Sequence, residues 1–369
     1  MTILFAAGDV GGARALLPVM QVCADQGLPF VLLAHGHLVQ EAPAPWPRVH
    51  FCCANNDTAM QNFLQDHDID RLVFASSVHD TLPLSIARCA KQLGIQVMHV
   101  LDNWTGYRRR LEMDGLPALV PDVYTVMDEC ALQAALQDGV EASVLEVTGQ
   151  PALASLADEL RTFSTLSTDE LLQRRKRLGF AQQKILLVFV SEPVAQDQGA
   201  SPAAPHYRGY TEKDVLQLFC RHLQPLADRI ELALLPHPRE NRQALCGLWR
   251  RCRGALQGGV VTGISSREAV WFADGVAGMA SILLYEAWLL GKPVISLQPD
   301  LRQDALRMLQ KRQGVVFVET YEEAEKAVGR WMAALQPGRK HTPHGNLELH
   351  RAAPEKIMAI LVAGKRTTR

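Results

Sequence analysis

Short apolar runs alternate with longer amphipathic runs along most of the 369-residue chain. In the first part, the runs 2–7, 30–34, 71–75, 96–101 and 123–127 have the length of buried strands, and helix-length segments lie between them. Strands that alternate with helices form parallel sheets that carry helices on both faces. We therefore expect an α/β fold with a parallel sheet in this part.

The same alternation starts again at 184–190, after a break at Gly149-Gln150-Pro151. A chain of this length exceeds what one hydrophobic core usually holds. We therefore expect two Rossmann-like domains with a cleft between them. The expected limits are residues 1–149 for the first domain, 150–335 for the second, and 336–369 for a linker and a C-terminal helix. The four basic residues 174–177 are expected to form a solvated helix face.

The segment Asp274–Pro299 predicts a strand, a tight turn at Gly278, a helix from Ser281 and a second strand. Glu286 is the only charged residue between Val276 and Gly291. A carboxylate is costly to bury unpaired, so Glu286 either pairs with a structural arginine or faces a ligand. The residues alone leave both possibilities open.

The start of this helix predicts an anion site, because its first backbone N–H groups lack partners within the helix. Ser281 is a candidate N-cap, and the N–H groups of Ala280, Ser281 and Ile282 would point at the anion. Glu286 follows about one turn later, roughly 5 Å along the axis. A nucleotide diphosphate at the helix start would therefore bring its ribose close to Glu286.

Two further strand ends carry candidate chemistry in the first half. Gly11 and Gly12 follow the first strand and allow a ligand close to the backbone, and Asp9 is a candidate base. This turn is neither GxGxxG nor a P-loop, and a plain turn capped by Asp9 is the alternative. Asp102, before Asn103, is a second candidate base, and Trp104 is a candidate stacking surface; the alternative is a loop around a buried tryptophan.

The second half has two more candidate positions at strand ends. His237 and Arg239 lie in Pro236-His237-Pro238-Arg239-Glu240-Asn241 and could meet phosphate oxygens. Ser191 ends an apolar strand, where its hydroxyl is placed for a phosphate. The loop from there to Tyr210 is long and rich in small residues, which is typical of a lid or an insertion, and Tyr210 could reach a sugar.

Composition narrows the function classes. The net charge of −1 argues against a general nucleic-acid binder. The cysteines are scattered without a CxxC pair, which favours free thiols in a reducing cytosol. His35 and His37 lack an obvious third metal ligand, so we expect hydrogen-bonded structural histidines or acceptor-site residues. The first residues read as a strand without a basic segment before it, so we expect a cytoplasmic protein. We also expect no metal and no cofactor. A peripheral membrane contact is compatible with a lipid-linked substrate.

Two α/β halves, a Gly-Gly turn after the first strand and ASILLYEAWLLGKPVI at 280–295 together resemble the GT-B superfamily. This superfamily includes sugar-nucleotide glycosyltransferases and the non-hydrolysing UDP-N-acetylglucosamine 2-epimerases. The resemblance implies that Gly278–Pro293 binds a diphosphate at its helix start and the ribose through Glu286. It also implies that Gly11 and Gly12 face the acceptor and the diphosphate. His237–Asn241 is similar to the epimerases' His-Arg-Arg-Glu-Asn.

The chain departs from the epimerase pattern at three places. It has Asp9-Val10-Gly11-Gly12 where the epimerases have Arg-Pro-Glu, and Leu101-Asp102-Asn103 where they have Glu-Ala-Gly after His-Val. It also has Gln298-Pro299-Asp300 in place of a second Arg-Pro-Glu. These are catalytic positions of the epimerases, so the differences favour glycosyl transfer.

The sequence therefore predicts a metal-independent glycosyltransferase that uses a nucleotide-diphosphate sugar, with UDP as the expected nucleotide, in polysaccharide or glycoconjugate synthesis. Asp102 or Asp9 would deprotonate an acceptor sugar or lipid-linked acceptor. His237, Arg239 and the helix start would stabilise the leaving diphosphate. Two alternatives stay open: a sugar-nucleotide epimerase or hydrolase, and a nucleotide-binding GT-B module without catalytic activity.

Overall fold

The computed structural model describes residues 1–51, 56–77, 80–181, 183–339 and 341–364. The chain divides into two compact units. The N-terminal domain comprises Met1–Asp158 and the chain from Gly345 onward, and the C-terminal domain comprises Glu159–His344. The chain thus returns to its first domain at the end, whereas the sequence placed a boundary at 149/150 and a separate C-terminal segment from 336.

The described residues of the N-terminal domain form a seven-stranded sheet in the order β3-β2-β1-β4-β5-β6-β7, with every pairing parallel. Its strands are β1 Thr2–Ala6, β2 Phe30–Leu33, β3 Arg48–Val49, β4 Ile69–Phe74, β5 Gln96–Val100, β6 Val123–Val126 and β7 Leu145–Val147. Its helices are α1 Val10–Asp25, α2 Gly36–Glu41, α3 Asp57–Asp66, α4 Leu82–Gln92 and α5 Glu129–Gln137; α6 Ala154–Ser164 then leads into the second domain.

The described residues of the C-terminal domain form a six-stranded parallel sheet in the order β10-β9-β8-β11-β12-β13. The strands are β8 Ile185–Val190, β9 Ile230–Leu235, β10 Gln257–Val260, β11 Gly275–Gly278, β12 Val294–Leu297 and β13 Val316–Val318. The helices are α7 Thr168–Arg177, α8 Val194–Gln198, α9 Glu212–Leu223, α10 Arg242–Cys252, α11 Ser266–Phe272, α12 Ile282–Leu289 and α13 Tyr321–Ala333.

Two final helices, α14 Asn346–Arg351 and α15 Ala353–Ala363, belong to the N-terminal domain. Ile357, Met358 and Leu361 of α15 are buried in the same core as Ile3 of β1. The sequence analysis expected a single C-terminal helix within 336–369, but the chain forms two helices that break before Pro354, which cannot donate a backbone hydrogen bond.

The predicted α/β architecture of two parallel-sheet domains is confirmed. Two local expectations differ. The turn at Gly149 is built into the first domain, since a Cβ there would come 2.4 Å from the carbonyl oxygen of Leu349. The expected solvated face on α7 is interrupted by Arg175, which is 3% exposed and forms an ion pair with Asp274 at 2.8 Å.

Candidate functional site

The predicted turn and helix of the C-terminal domain form as expected. β11 ends at Gly278, Ser281 is the N-cap of α12, and its hydroxyl accepts a hydrogen bond from Leu283 N at 3.3 Å. The φ of Gly278 is not positive; a Cβ there would lie 2.8 Å from the carbonyl oxygen of Val190 on the neighbouring strand. Glycine is therefore required by the close approach of β8. Ile282, the first residue of the helix, is 42% exposed.

An internal carboxylate occupies the start of this helix. Glu192 Oε2 accepts a hydrogen bond from Ala280 N at 2.7 Å, and the backbone of Ser281 also donates to this side chain. Arg208 Nη1 lies 3.6 Å from Glu192 Oε1. Burial raises the pKa of Glu192, and the Arg208 charge opposes that rise. The backbone donors assigned to a phosphate thus face an anion in this structure, and sequence reasoning missed that anion.

Arg208 has one unused donor beside this turn. Its Nε atom is buried and has no hydrogen-bond partner among the described residues, whereas its buried Nη1 atom forms the ion pair with Glu192. Its side chain is 15% exposed. A buried guanidinium nitrogen without an acceptor is costly, so an oxyanion at this position would satisfy it.

Glu286 is paired with an arginine, one of the two possibilities that the sequence left open. Arg267 Nε donates to Glu286 Oε2 at 2.8 Å, and Arg267 Nη1 donates to Glu159 Oε1 at 2.6 Å. The Glu286 side chain is 10% exposed; burial raises its pKa and Arg267 opposes the rise. The predicted ribose role of Glu286 remains a prediction.

Glu240 connects two predicted phosphate ligands, Ser191 and His237. The Ser191 hydroxyl donates to Glu240 Oε1 at 2.7 Å, and the backbone N–H of His237 donates to Glu240 Oε2 at 2.6 Å. His237 Nδ1 accepts from Arg239 N at 3.2 Å, which places the ring proton on Nε2. Burial and the nearby Arg239 lower the pKa of His237, so the neutral ring offers an Nε2–H donor.

Two expected ligand contacts are engaged elsewhere. Arg239 forms two hydrogen bonds to the Asp197 carboxylate, at 2.9 and 2.7 Å, and its side chain is 59% exposed.

Tyr210 is fully buried, and its hydroxyl donates to Gln298 Oε1 at 2.9 Å. Tyr210 is therefore a core residue, which corrects the expectation that it reaches a sugar from a lid. Gln298 Nε2 in turn donates to the Met279 carbonyl and fixes the turn before α12.

In the N-terminal domain, the structure brings Gly11 and Asp102 together. A Cβ on Gly11 would come 2.1 Å from Asp102 Oδ2, so only glycine admits this carboxylate. Arg110 Nη1 lies 2.6 Å from Asp102 Oδ1, and Gln150 Nε2 donates to the Asp102 carbonyl at 2.8 Å. Burial is the main cause that raises the pKa of Asp102; Arg110 opposes the rise and Asp9 adds to it.

Asp9 and Trp104 have the structural roles that were the alternatives. Asp9 Oδ1 accepts from Gly12 N at 2.8 Å and caps α1. Trp104 is 4% exposed and its indole N–H donates to Asp128 at 3.1 Å, so the predicted stacking surface is wrong.

Sequence reasoning missed Asp80, the hydrogen-bond partner of His35. His35 Nε2 lies 3.0 and 3.1 Å from the two Asp80 carboxylate oxygens, and a Cβ on Gly8 would come 1.7 Å from Asp80 Oδ2. Gly8 is the signal that could have indicated this pair. It follows the first strand, directly before Asp9, and a glycine there lets other side chains approach the backbone closely.

Among the described residues, no group of three or more His, Cys, Asp or Glu side chains is arranged to hold a metal ion. Within the same part of the chain, none of the helices combines the length and apolar character needed to cross a bilayer.

No protein-family profile and no curated protein sequence matches the chain. Solved structures do match. UDP-GlcNAc 2-epimerase from Methanocaldococcus jannaschii is similar over 99% of this chain and 100% of its own, with 15% identity and a TM-score of 0.65. UDP-GlcNAc 2-epimerase from Neisseria meningitidis bound to UDP-GlcNAc is similar over 99% and 100%, with 13% identity and a TM-score of 0.63. MurG from Acinetobacter baumannii is similar over 98% and 99%, with 11% identity and a TM-score of 0.59.

These matches span both domains of the chain. At such low identities they bear on architecture, and they agree with the two parallel sheets described above. The chain therefore has the two-domain, Rossmann-like GT-B fold.

Proposed function

We propose that the protein is a glycosyltransferase that takes its sugar from a nucleotide diphosphate, with UDP as the expected nucleotide, in polysaccharide or glycoconjugate synthesis. The observation that carries the proposal is the start of α12, where backbone N–H groups already hold the Glu192 carboxylate and Arg208 lies beside it with an unused Nε donor. Such a place is chemically suited to the oxygens of a diphosphate.

The leaving diphosphate needs compensation of its charge when the bond to the sugar breaks. Arg208, the α12 start and the Nε2–H of neutral His237 are the groups that would supply it without a metal ion. Arg239 would contribute after leaving Asp197, to which it is bound at 2.7 Å. Glu286 would accept the ribose hydroxyls, with Arg267 holding its carboxylate in place.

Asp102 is the group that we assign as the base for the acceptor hydroxyl. Burial raises the pKa of its carboxyl group above its ordinary value, which makes the carboxylate a stronger proton acceptor. Its carboxylate lies over Gly11, in the turn after β1. The base would take the hydroxyl proton while that oxygen bonds to the sugar carbon and the carbon–diphosphate bond breaks. Asp9 is less suited, since it caps α1.

An epimerase is the second candidate, since two of the matched structures are UDP-GlcNAc 2-epimerases. NMR separates the candidates. A glycosyltransferase leaves UDP-GlcNAc at carbon 2 unchanged in the absence of an acceptor, whereas an epimerase produces the carbon-2 isomer from UDP-GlcNAc alone.

The first test is the affinity for UDP of wild type, Glu286→Gln and Glu159→Gln, measured by calorimetry. Glu159 is the matched control because it binds the same arginine as Glu286 but lies on α6. We expect Glu286→Gln to weaken UDP binding about tenfold or more, the loss of a charge-assisted contact, and Glu159→Gln to leave it nearly unchanged. Equal affinities in all three proteins would refute the ribose assignment.

A further inference from the structure

Two cysteines of the C-terminal domain meet where helices α9 and α10 pack together. Cys220 of α9 is buried in the core of this domain. Cys252 is the last residue of α10; it packs against the same core and is only partly buried. A hydrogen bond joins the two thiol groups. Distant parts of the sequence thus place two free thiols in direct contact.

Gln224 holds the ends of the two helices together. Its Nε2 donates to the carbonyl oxygens of Cys220 at 3.1 Å and of Arg253 at 2.9 Å. Its Oε1 accepts from Ala255 N at 3.1 Å. One side chain therefore fixes the backbone at Cys220 and the backbone directly after Cys252, which keeps the two sulfur atoms close in the folded domain. A disulfide requires such closeness, because a cross-link between distant backbones would need the helices to move.

The two thiols differ in reactivity. Cys252 Sγ donates to the Trp249 carbonyl at 3.7 Å, so the Cys220 thiol is the donor between the two sulfur atoms. That hydrogen bond and the nearby Arg251 lower the pKa of Cys252, whereas the same bond and burial raise the pKa of Cys220. Arg251 and Arg253 lie exposed on either side of Cys252. A partly exposed thiol beside positive charge reacts faster, because the thiolate is the nucleophile.

We propose that Cys252 and Cys220 form a disulfide when the protein meets a hydroperoxide such as hydrogen peroxide. The Cys252 thiolate attacks a peroxide oxygen, the O–O bond breaks, and the products are a sulfenic acid on Cys252 and hydroxide. The Cys220 sulfur then attacks the sulfenic sulfur. The S–S bond forms while the hydroxyl group leaves and takes the thiol proton as water. Both thiols are oxidised and the peroxide is reduced to water.

The disulfide would cross-link the C-terminal domain around a functionally interesting segment. It closes a loop of residues 220–252, which contains β9 and His237–Asn241. A bond that closes a loop stabilises a protein chiefly by restricting its unfolded chain. Oxidation should therefore make this domain harder to unfold, and a thiol reductant should reverse the effect. The inference does not depend on the proposed glycosyl transfer.

Peptide mapping of the full chain after treatment with hydrogen peroxide tests the proposal. Remaining thiols are alkylated, and chymotrypsin is used because cleavage after Trp249 separates Cys252 from Cys246. We expect two peptides joined through Cys220 and Cys252, which dithiothreitol separates. Cys252→Ser should lack this product, whereas Cys246→Ser, which changes another partly buried cysteine of α10, should retain it. Failure to find the joined peptides in the wild type, or their presence in Cys252→Ser, would overturn the proposal.

Trapping of the sulfenic acid tests the order of the two steps. In Cys220→Ala, dimedone should label Cys252 at least about fivefold faster than Cys246, because Cys252 has the more reactive thiol and its second thiol is gone. Equal labelling would overturn the role of Cys252. Since Cys220 is buried, the mapping of Cys252→Ser decides the disulfide even if Cys220→Ala does not fold.

Urea titration tests the effect on stability. The midpoint of the oxidised wild type should lie at a higher urea concentration than that of the reduced protein, and dithiothreitol should restore the lower value. Cys252→Ser should give the same midpoint with and without peroxide. An unchanged midpoint in wild type that mapping shows to be cross-linked would overturn the stabilising role of the disulfide.

Discussion

Glu192 and Ala280 are joined by a 2.7 Å hydrogen bond from the backbone N–H of Ala280 to Glu192 Oε2. A phosphate oxygen at the start of α12 would need the same donor, so the carboxylate and a phosphate exclude each other there. The pair lies 88 positions apart in the sequence. A diphosphate bound at the proposed site would therefore require the Glu192 side chain to turn away or become neutral.

Replacing Glu192 with glutamine should strengthen UDP binding. The substitution removes the competing charge but keeps a carbonyl oxygen that can accept from Ala280 N. We expect the dissociation constant to fall about tenfold at constant ionic strength, which is about 1.4 kcal/mol. Calorimetry with UDP measures it. Glu231→Gln is the matched control, because Glu231 also accepts a backbone N–H, that of Ala181, but lies at the amino-terminal end of β9, away from the α12 start.

The opposite result would have a clear meaning. Weaker UDP binding by Glu192→Gln than by Glu231→Gln would show that the carboxylate positions the turn for a ligand and does not compete with it. In that case Arg208 and His237 would carry the diphosphate without the α12 donors.

The affinity for UDP should also depend on pH through Glu192. Burial raises the pKa of this group above its ordinary value, so protonation begins at a higher pH than for a free glutamate. As the pH falls from 8 toward that raised pKa, a growing fraction of Glu192 becomes neutral and UDP binding should tighten. Glu192→Gln retains the titration of UDP itself, so the difference between the two pH profiles isolates Glu192. Parallel profiles would contradict this assignment.

Gly11→Ala should destabilise the N-terminal domain, because the new Cβ would meet Asp102 Oδ2 at 2.1 Å. Asp102 and its partner Arg110 are both nearly buried, so they have little room to move. We expect a loss of about 1–3 kcal/mol in unfolding free energy, measured by urea titration. In the Asp102→Ala background the same substitution should cost much less, since the clashing carboxylate is gone. Equal costs in both backgrounds would rule out this contact.

The strands, most helices and the strand-end positions of the candidate residues could be predicted from the sequence. These features follow from local hydrophobic periodicity. The turn at Gly278 and the N-cap at Ser281 also lie where the sequence placed them. The partner of each carboxylate could not be predicted, because tertiary packing chooses it. Glu286 illustrates the limit: its isolation in an apolar helix was evident, but Arg267 as its partner was not.

Residues 174–177 show the same limit in a form that can be tested directly. Four adjacent basic residues suggested solvent, yet Arg175 alone turns inward and binds Asp274 Oδ1 at 2.8 Å and Oδ2 at 3.1 Å. The helical spacing puts only one member of such a run on the buried side of α7. The Asp274 carboxylate also accepts from the backbone of Leu186 and Gly338.

Arg175→Ala should therefore destabilise the C-terminal domain far more than Arg174→Ala. Removing one partner of a buried ion pair leaves Asp274 buried with an uncompensated charge, which costs about 3–5 kcal/mol. Arg174 is exposed and carries the same charge, so its substitution should change stability by about 0.5 kcal/mol or less. Urea titration of both variants gives the comparison. Similar midpoints for the two variants would show that Arg175 is dispensable. Recovery of stability in Arg175→Ala/Asp274→Ala would confirm that the unpaired Asp274 carboxylate causes the loss, because the double variant has no buried charge left without a partner.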